Sequence, residues 1–468
     1  MSYRVPQHID SNKIFIVNRS EIEERLDPLY YGSNFTKFFK HPYSTRLKDV
    51  CLSFSSGFGA GKKEQTTEEN GFIQIRPTNI DNEGILKFDK NVYVPFQNSV
   101  QFVKKGTVLF NNTNSQEWVG KTALLQSDDQ LYTSNHITSI IVDSSKISAE
   151  YLWIIFNMYQ RDKVFYSICT NWNNQSGVGI ELLQSLKVPV PPLSVQKEIV
   201  DYYLSAFSEK QAKDLEAQRL LDSIDTYLLD ELGITLPEVH NELKDRIFLM
   251  NRSELEGRFD PTVYKDGIKL ISPKWDNVKL SKVAFVNPNG TYKGQAVDTP
   301  ISFVPMEVVD ETFSEITTMG ETTIAQSSGF TKFREGDLLW AKITPCMQNG
   351  KSAIARNLIN GLGCGSTEFF VLRPKDEHLS IEYLHVILHM KCVRDTAMLY
   401  FGGSAGQQRV PASYLENFDL PLPPKEKQME IASHVYELRQ KAKTLQEEGK
   451  RILEEAKLEV DRMILNDW

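Results

Sequence analysis

From Ile431 onward, apolar residues recur at spacings of four and three: Ile431, Val435, Leu438, Ala442, Leu445, Gly449, Ile452, Ala456 and Met463, with Glu459 the one polar break. That spacing is the seam of a coiled coil. A second seam runs through Ile199, Tyr203 and Ala206 and resumes at Ala217, Leu221, Ile224 and Leu228, with Lys210 and Lys213 interrupting it. Two long helices are therefore predicted. Each follows a proline pair, Pro191-Pro192 or Pro423-Pro424, which suits a helix start because proline lacks the amide hydrogen that the first turn leaves unused. At about 1.5 Å per residue each helix is a rod of roughly 55 Å, enough to hold two domains apart; two bundle helices within one core are the alternative. Elsewhere the apolar runs are short. FIQIRP, TVLF, SIIV, ISFVP, DLLWAKI and FFVLRP predict strands, and AEYLWIIFNMY and IEYLHVILHMK predict helices.

The chain repeats itself. FIVNRSEIEERLDPLYY, from Phe15 to Tyr31, returns as FLMNRSELEGRFDPTVY, from Phe248 to Tyr264, and VPVPPLSVQKEIV, from Val188, returns as LPLPPKEKQMEIA, from Leu420, at nearly the same displacement. Between these anchors RLKDV answers KLSKV, GTVLF answers GDLLW, Gly120-Lys121 answers Gly350-Lys351, and SAEYL answers SIEYL. A shared frame carrying different residues suits a recognition task in two parts. The expected organisation is α+β: a first mixed α/β domain over 12–187, a first helix over 188–232, a linker over 233–245, a second domain over 246–419 and a second helix over 420–468.

Composition narrows the classes. A chain of 468 residues with 41% hydrophobic and 24% charged residues can bury more than one core. No apolar run is long enough to span a membrane and the first residues lack a signal-peptide pattern, so a cytoplasmic address is expected. Five cysteines, none in a C-x-x-C pair, predict reduced thiols rather than a disulfide or zinc framework. Asn287-Pro288-Asn289-Gly290 lacks the second proline and the aromatic of a methyltransferase motif and is read as a turn. GFGAGKK has Lys63 where a phosphate loop places Ser or Thr, and FGGSAG lacks the strand-to-helix context of a dinucleotide loop. His385 and His389 lie one helical turn apart with no third ligand in view, so a satisfied helix face is expected and no metal.

The paired junctions VPVPPLSVQKEIV and LPLPPKEKQMEIA, each closing a domain and opening a long helix, resemble the specificity subunit of type I restriction-modification systems, and ERLDP and GRFDP are similar to segments that open such domains. This resemblance implies a subunit without catalysis or cofactor of its own, whose two target-recognition domains each read one half of a bipartite, asymmetric site in double-stranded DNA. It implies methyltransferase partners and restriction-translocase partners, with S-adenosylmethionine, ATP and magnesium in those subunits, and no membrane. It also implies that the two long helices are antiparallel, and the seam spacing gives Ile199, Tyr203, Leu221, Ile224, Leu228, Ile431, Val435, Leu438, Leu445 and Ile452 as their packing residues.

Base reading in the major groove needs Arg or Lys for guanine and Asn or Gln for adenine. The clusters that offer them are Lys62 and Lys63; Asn111, Asn112 and Asn114; Asn173, Asn174 and Gln175; Lys342 and Thr344; Gln348; and Gln407, Gln408 and Arg409. Lys121 and Lys351, in matching places, are expected at phosphates. A net charge of −8 confines any DNA surface to local patches. A duplicated protein-interaction scaffold remains the rival, separated by whether DNA binding is salt-sensitive.

Overall fold

A computed structural model describes residues 16, 17, 19, 41–173, 175–237, 261–403 and 407–465. The repeated segment Phe15–Tyr31, apart from residues 16, 17 and 19, and Phe248–Tyr264 up to residue 260 lie outside the described residues, as do residues 238–245 of the expected linker and Asn174. What is described falls into two compact units, one within 1–210 with 450–468 and the other within 211–449.

In the first unit an antiparallel sheet takes the order Cys51–Ser56, Ile137–Val142, Val108–Asn111, Thr122–Leu124. In the second, the same order appears as Ala284–Val286, Phe369–Pro374, Leu338–Ala341, Ser352–Ile354. The runs TVLF and DLLWAKI supply the inner strands Val108–Asn111 and Leu338–Ala341, buried along their whole length, as continuous apolar runs require. Each unit adds a mixed sheet with one parallel pairing, Phe72–Ile75 beside Tyr132–Thr133 and Pro300–Val304 beside Leu362–Gly365.

A helix packs on each main sheet: α1 (Ala149–Arg161) and, in the second unit, the helix Ile381–His389. Their starts are set by Ser148 and Ser380, whose side chains accept from the amides of Tyr151 and Tyr383 and so fill helix-end donors. The long helices are Leu193–Leu232, here α2, and Lys425–Leu465; with Ile381–His389 as α3, the last is α4. Within the second unit Lys213 pairs with Glu448 at 2.8 Å and Glu231 with Lys427 at 2.9 Å. One helix is thus read in the opposite order to the other, and they are antiparallel.

The seam residues Ile199 and Tyr203 enter the core of the first unit together with Leu453, Val460 and Ile464, and Ile224, Leu228, Ile431 and Val435 enter that of the second. Leu221, Leu438 and Leu445 are half-buried. One correction concerns register. Past Gly449 the buried stripe passes through Leu453, Ala456 and Val460, one residue beyond the expected Ile452 and Glu459, and Ile452 is only half-buried. A straight α-helix drifts about 20° per heptad from a 3.5-residue repeat. Over the three heptads from Ile431 to Ile452 that is about 60°, more than half of the roughly 100° that separates neighbouring residues. The lysines that break the first seam each meet a carboxylate: Lys210 meets Glu83 at 2.7 Å, and Lys213 meets Glu448.

A repeated hydrogen-bonded latch joins each domain to its helix. Gln196 is fully buried; its Oε1 accepts from Ser148 N at 2.9 Å, and its Nε2 donates to Lys146 O at 2.9 Å and Pro191 O at 2.8 Å. Gln428 repeats this with Ser380 N, His378 O and Pro423 O, each at 2.8 Å. Tyr151 and Tyr383 donate their hydroxyls to Pro189 O and Pro421 O. Replacing either glutamine by leucine strands those backbone groups and is expected to cost about 2–3 kcal/mol. The exposed neighbour Lys197→Ala is expected to stay within about 0.5 kcal/mol. Urea unfolding of the variants measures both.

Candidate nucleic-acid interface

The inner strands deliver their polar ends to one place in each unit. In the first, Val108–Asn111 runs on into Thr113–Asn114, which joins Gln175–Gly177 and Thr170–Trp172 in a three-stranded sheet. In the second, Ile343 bridges Arg409, and Thr344 N donates to Gln408 O at 3.0 Å. The two arrangements correspond bond for bond: Val178 N donates to Asn112 O at 2.9 Å and Val410 N to Lys342 O at 2.9 Å. Clusters far apart in the chain are thus neighbours, Asn112–Asn114 with Gln175 and Lys342–Thr344 with Gln407–Arg409.

The Gly57–Lys63 loop adjoins this surface. Phe58 N donates to Thr133 O and Asn135 N to Phe58 O, while Asn112 N donates to His136 O. Lys62 and Lys63 stand exposed on a short 3-10 turn, Lys62–Glu64. Asn173 and Gln175 are exposed and Asn114 half-exposed. Trp172, inside the same run NWNNQ, is 46% exposed and adds an aromatic face beside these amides. In the second unit Gln348 and Gln407 are exposed and Gln408 half-buried, while the Lys342 ammonium sits 5.4 Å over the Phe370 ring.

Several candidates are turned elsewhere. Asn111 is wholly buried and donates to Trp118 O at 3.1 Å; Asn112 donates to Thr138 Oγ1 at 2.9 Å and to Asn135 O. Asn111 ends a strand buried along its whole length and Asn112 follows it beneath the Asn135–Thr138 segment, so both amides are spent on the frame. Lys121 reaches inward to Ile80 O at 2.6 Å and Lys351 to Met306 O at 3.3 Å, so these matched lysines tie loops to the frame instead of standing at phosphates. Burial lowers the Lys121 pKa, and Asp81 partly offsets it. The Thr344 hydroxyl is buried without a partner. Arg409 is held in a two-pronged pair with Glu368, at 2.8 and 2.9 Å. That hydrogen bonding lowers the Glu368 carboxyl pKa and raises that of the guanidinium, and the pair must open before Arg409 can grip a base edge.

Other expectations concern chemistry elsewhere. His385 Nε2 meets Ser352 Oγ at 3.0 Å and His389 Nε2 meets Glu311 O at 3.3 Å, a satisfied helix face. None of the five cysteines is joined in a disulfide. No described helix is long and apolar enough to cross a membrane.

Comparison with known proteins gives the same outline. The family model for the type I restriction modification DNA specificity domain matches residues 44–225 and again 274–454. The chain is 38% identical over 166 residues to the type I restriction enzyme EcoEI specificity subunit of Escherichia coli, covering 34% of this chain and 26% of that one. It is 30% identical over 267 residues to the EcoAI specificity subunit of the same organism, covering 51% of this chain and 44% of that one. It is 22% identical over 386 residues to the putative type I restriction enzyme MjaX specificity subunit of Methanocaldococcus jannaschii, covering 77% of each. The match thus spans less than half the length of either Escherichia coli relative. With both halves of its frame matched by one model, the chain belongs to the family of type I restriction-modification DNA specificity domains and carries two of them.

Proposed function

We propose that this chain reads a two-part, asymmetric DNA sequence on behalf of a type I restriction-modification complex, each domain taking one half-site, and performs no catalysis itself. The observation that carries this is a shared frame whose side chains differ at matching positions, Asn114 against Thr344, Ser176 against Gln408 and Gly177 against Arg409, with only Gln175 and Gln407 alike. Around Asn114, Asn173 and Gln175, with Lys62 and Lys63, the first unit offers mainly amides and ammonium groups. Around Lys342, Gln407 and Gln408, with Gln348 nearby, the second offers a different set. Two surfaces of one build but different donor patterns suit two different half-sites. Buried Asn111, Lys121 and Lys351 support these surfaces and read nothing.

The domains over 12–187 and 246–419 are the readers, with 188–232 and 420–468 the spacing helices and 233–245 their connection. Methyltransferase subunits using S-adenosylmethionine, and restriction-translocase subunits using ATP and magnesium, supply the chemistry in a cytoplasmic complex. Co-expression with a methyltransferase subunit of the same system, followed by mapping of methylated bases, tests the proposal. A motif of two parts with a fixed gap is expected, and exchanging residues 12–187 for a homologous domain should change one part only. A stable complex that leaves no such motif, and whose DNA binding is indifferent to salt, would favour the scaffold.

A further inference from the structure

The two units can be compared position by position, and at one place they differ in kind. In the first, Trp153 of α1 packs edge-on against Tyr203 and Phe207 of α2, with ring centroids 5.6 and 6.0 Å away. Its indole Nε1 donates to Gly84 O at 3.1 Å, where Gly84 holds the left-handed turn at φ 74°. The three positions equivalent to Trp153, Phe207 and Gly84 in the second unit are His385, Arg439 and Ser314. The aromatic plug is gone, and a cavity of about 770 Å³ lies there, lined by all three.

Two groups in that cavity are left unsatisfied. Arg439 is only 6% exposed, and its Nε has no hydrogen-bond partner. Among the described residues no carboxylate lies within ion-pair distance of it; Asp225, whose field it feels, accepts instead from Lys391 N. Ser314 keeps the left-handed turn at φ 58°, unusual for a residue with a side chain, and its buried hydroxyl is also unpartnered. A buried guanidinium without a counter-ion is costly, and left-handed serine adds strain; an apolar trio at these positions works in the first unit. A buried polar group without a partner calls for one, and a bound ligand can supply it.

Of the other charges there, Lys425 is half-buried in the lining and the rest are matched. Arg356 pairs with Glu382, Lys443 with Glu315, and His385 is engaged by Ser352. One buried cation therefore remains, which suits a monoanion better than a dianion. Phe313, Ile316, Met429 and Tyr436 give the rest of the lining an apolar character. A guanidinium fork takes a carboxylate through two parallel hydrogen bonds, and the volume lies within the range of small-ligand pockets.

We propose that this cavity in the second unit binds a carboxylate group carried on an apolar body, with Arg439 and Ser314 as its donors. The site is independent of DNA reading. Its test is a thermal melt of the full chain with phenylacetate or hexanoate, with phenethylamine and inorganic phosphate as controls at equal ionic strength. A saturable rise in melting temperature with the carboxylates alone is expected. In Arg439→Gln, binding should weaken at least ten-fold. The triple variant Ser314→Gly, His385→Trp, Arg439→Phe rebuilds the plug of the first unit; it should fold and lose the response. No rise in the unaltered chain, an equal rise in the triple variant, or a larger response to phosphate would overturn the assignment. Two sources of the carboxylate are then separable. If a methyltransferase partner supplies it, phenylacetate should compete with complex formation and the triple variant should assemble poorly. If a free metabolite does, assembly should be unchanged and the melting shift should persist in the complex.

Discussion

Replacing Asp337 by alanine is expected to cost about 3–5 kcal/mol, enough to unfold the second unit of a marginally stable protein. Asp337 has no exposed surface; its oxygens bind Arg373 in two prongs at 2.7 Å each, and one also accepts from Arg334 N at 2.8 Å. Arg373 is itself only 12% exposed. The loss comes mainly from the cation left behind. The first unit shows what avoids it, since Thr107 and Ile141 hold the equivalent positions. The double variant Asp337→Thr, Arg373→Ile should therefore recover most of the stability that Asp337→Ala loses. Denaturant midpoints for the single and double variants decide the matter: a double variant as unstable as the single would show that the pair contributes more than its own neutralisation.

Mild acid is expected to weaken the second unit through its histidines. Burial, reinforced by Arg439, pushes His385 down to about 3, against about 6.5 in an unfolded chain. A base whose folded pKa is depressed lends full stability above the unfolded value. It loses that stability as pH falls from about 6.5 toward about 3, because the unfolded chain takes up the proton first. At pH 5 the loss from His385 alone is about 2 kcal/mol. His389, lowered well below its ordinary value by the same burial and by Arg439 and Arg394, acts in the same direction. Trp153 and Asn157 stand at the matching positions of the first unit and do not titrate. Melting followed from pH 7.5 to 5 should show a transition in the second unit that moves with pH. The variant His389→Asn should reduce its slope, and an unchanged slope would show that other groups dominate.

The duplication, the two long helices and the strand runs were legible in the sequence because each rests on periodicity. The break at Lys210 and Lys213 was legible too, though its resolution by Glu83 and Glu448 was not, since both partners come from elsewhere in the chain. Seam register near the C terminus was misplaced by one residue because a heptad template ignores the slow rotation of a straight helix. The latch glutamines stood inside the quoted junctions, identical in both copies amid changed neighbours. Their role depends on backbone atoms around Lys146 and His378 and so lay beyond local spacing. For the candidate interface, residue type located the clusters but did not separate Asn111, buried in the frame, from the half-exposed Asn114. Arg439 looked like one more charge beside the seam, and only the fold sets it against Phe207 of the other copy.

The first unit draws on both ends of a long stretch of synthesis. Its core includes Leu453, Val460 and Ile464, and Arg161 binds Asp461 from 300 residues away. A ribosome working at roughly 5–20 residues per second needs roughly 15–60 s to travel from one to the other. During that interval the first recognition domain has been made but lacks part of its interior, while everything required by the second is emerging. A premature stop at Lys450 would thus damage the half of the protein made first, leaving the half made last with its own core residues in hand.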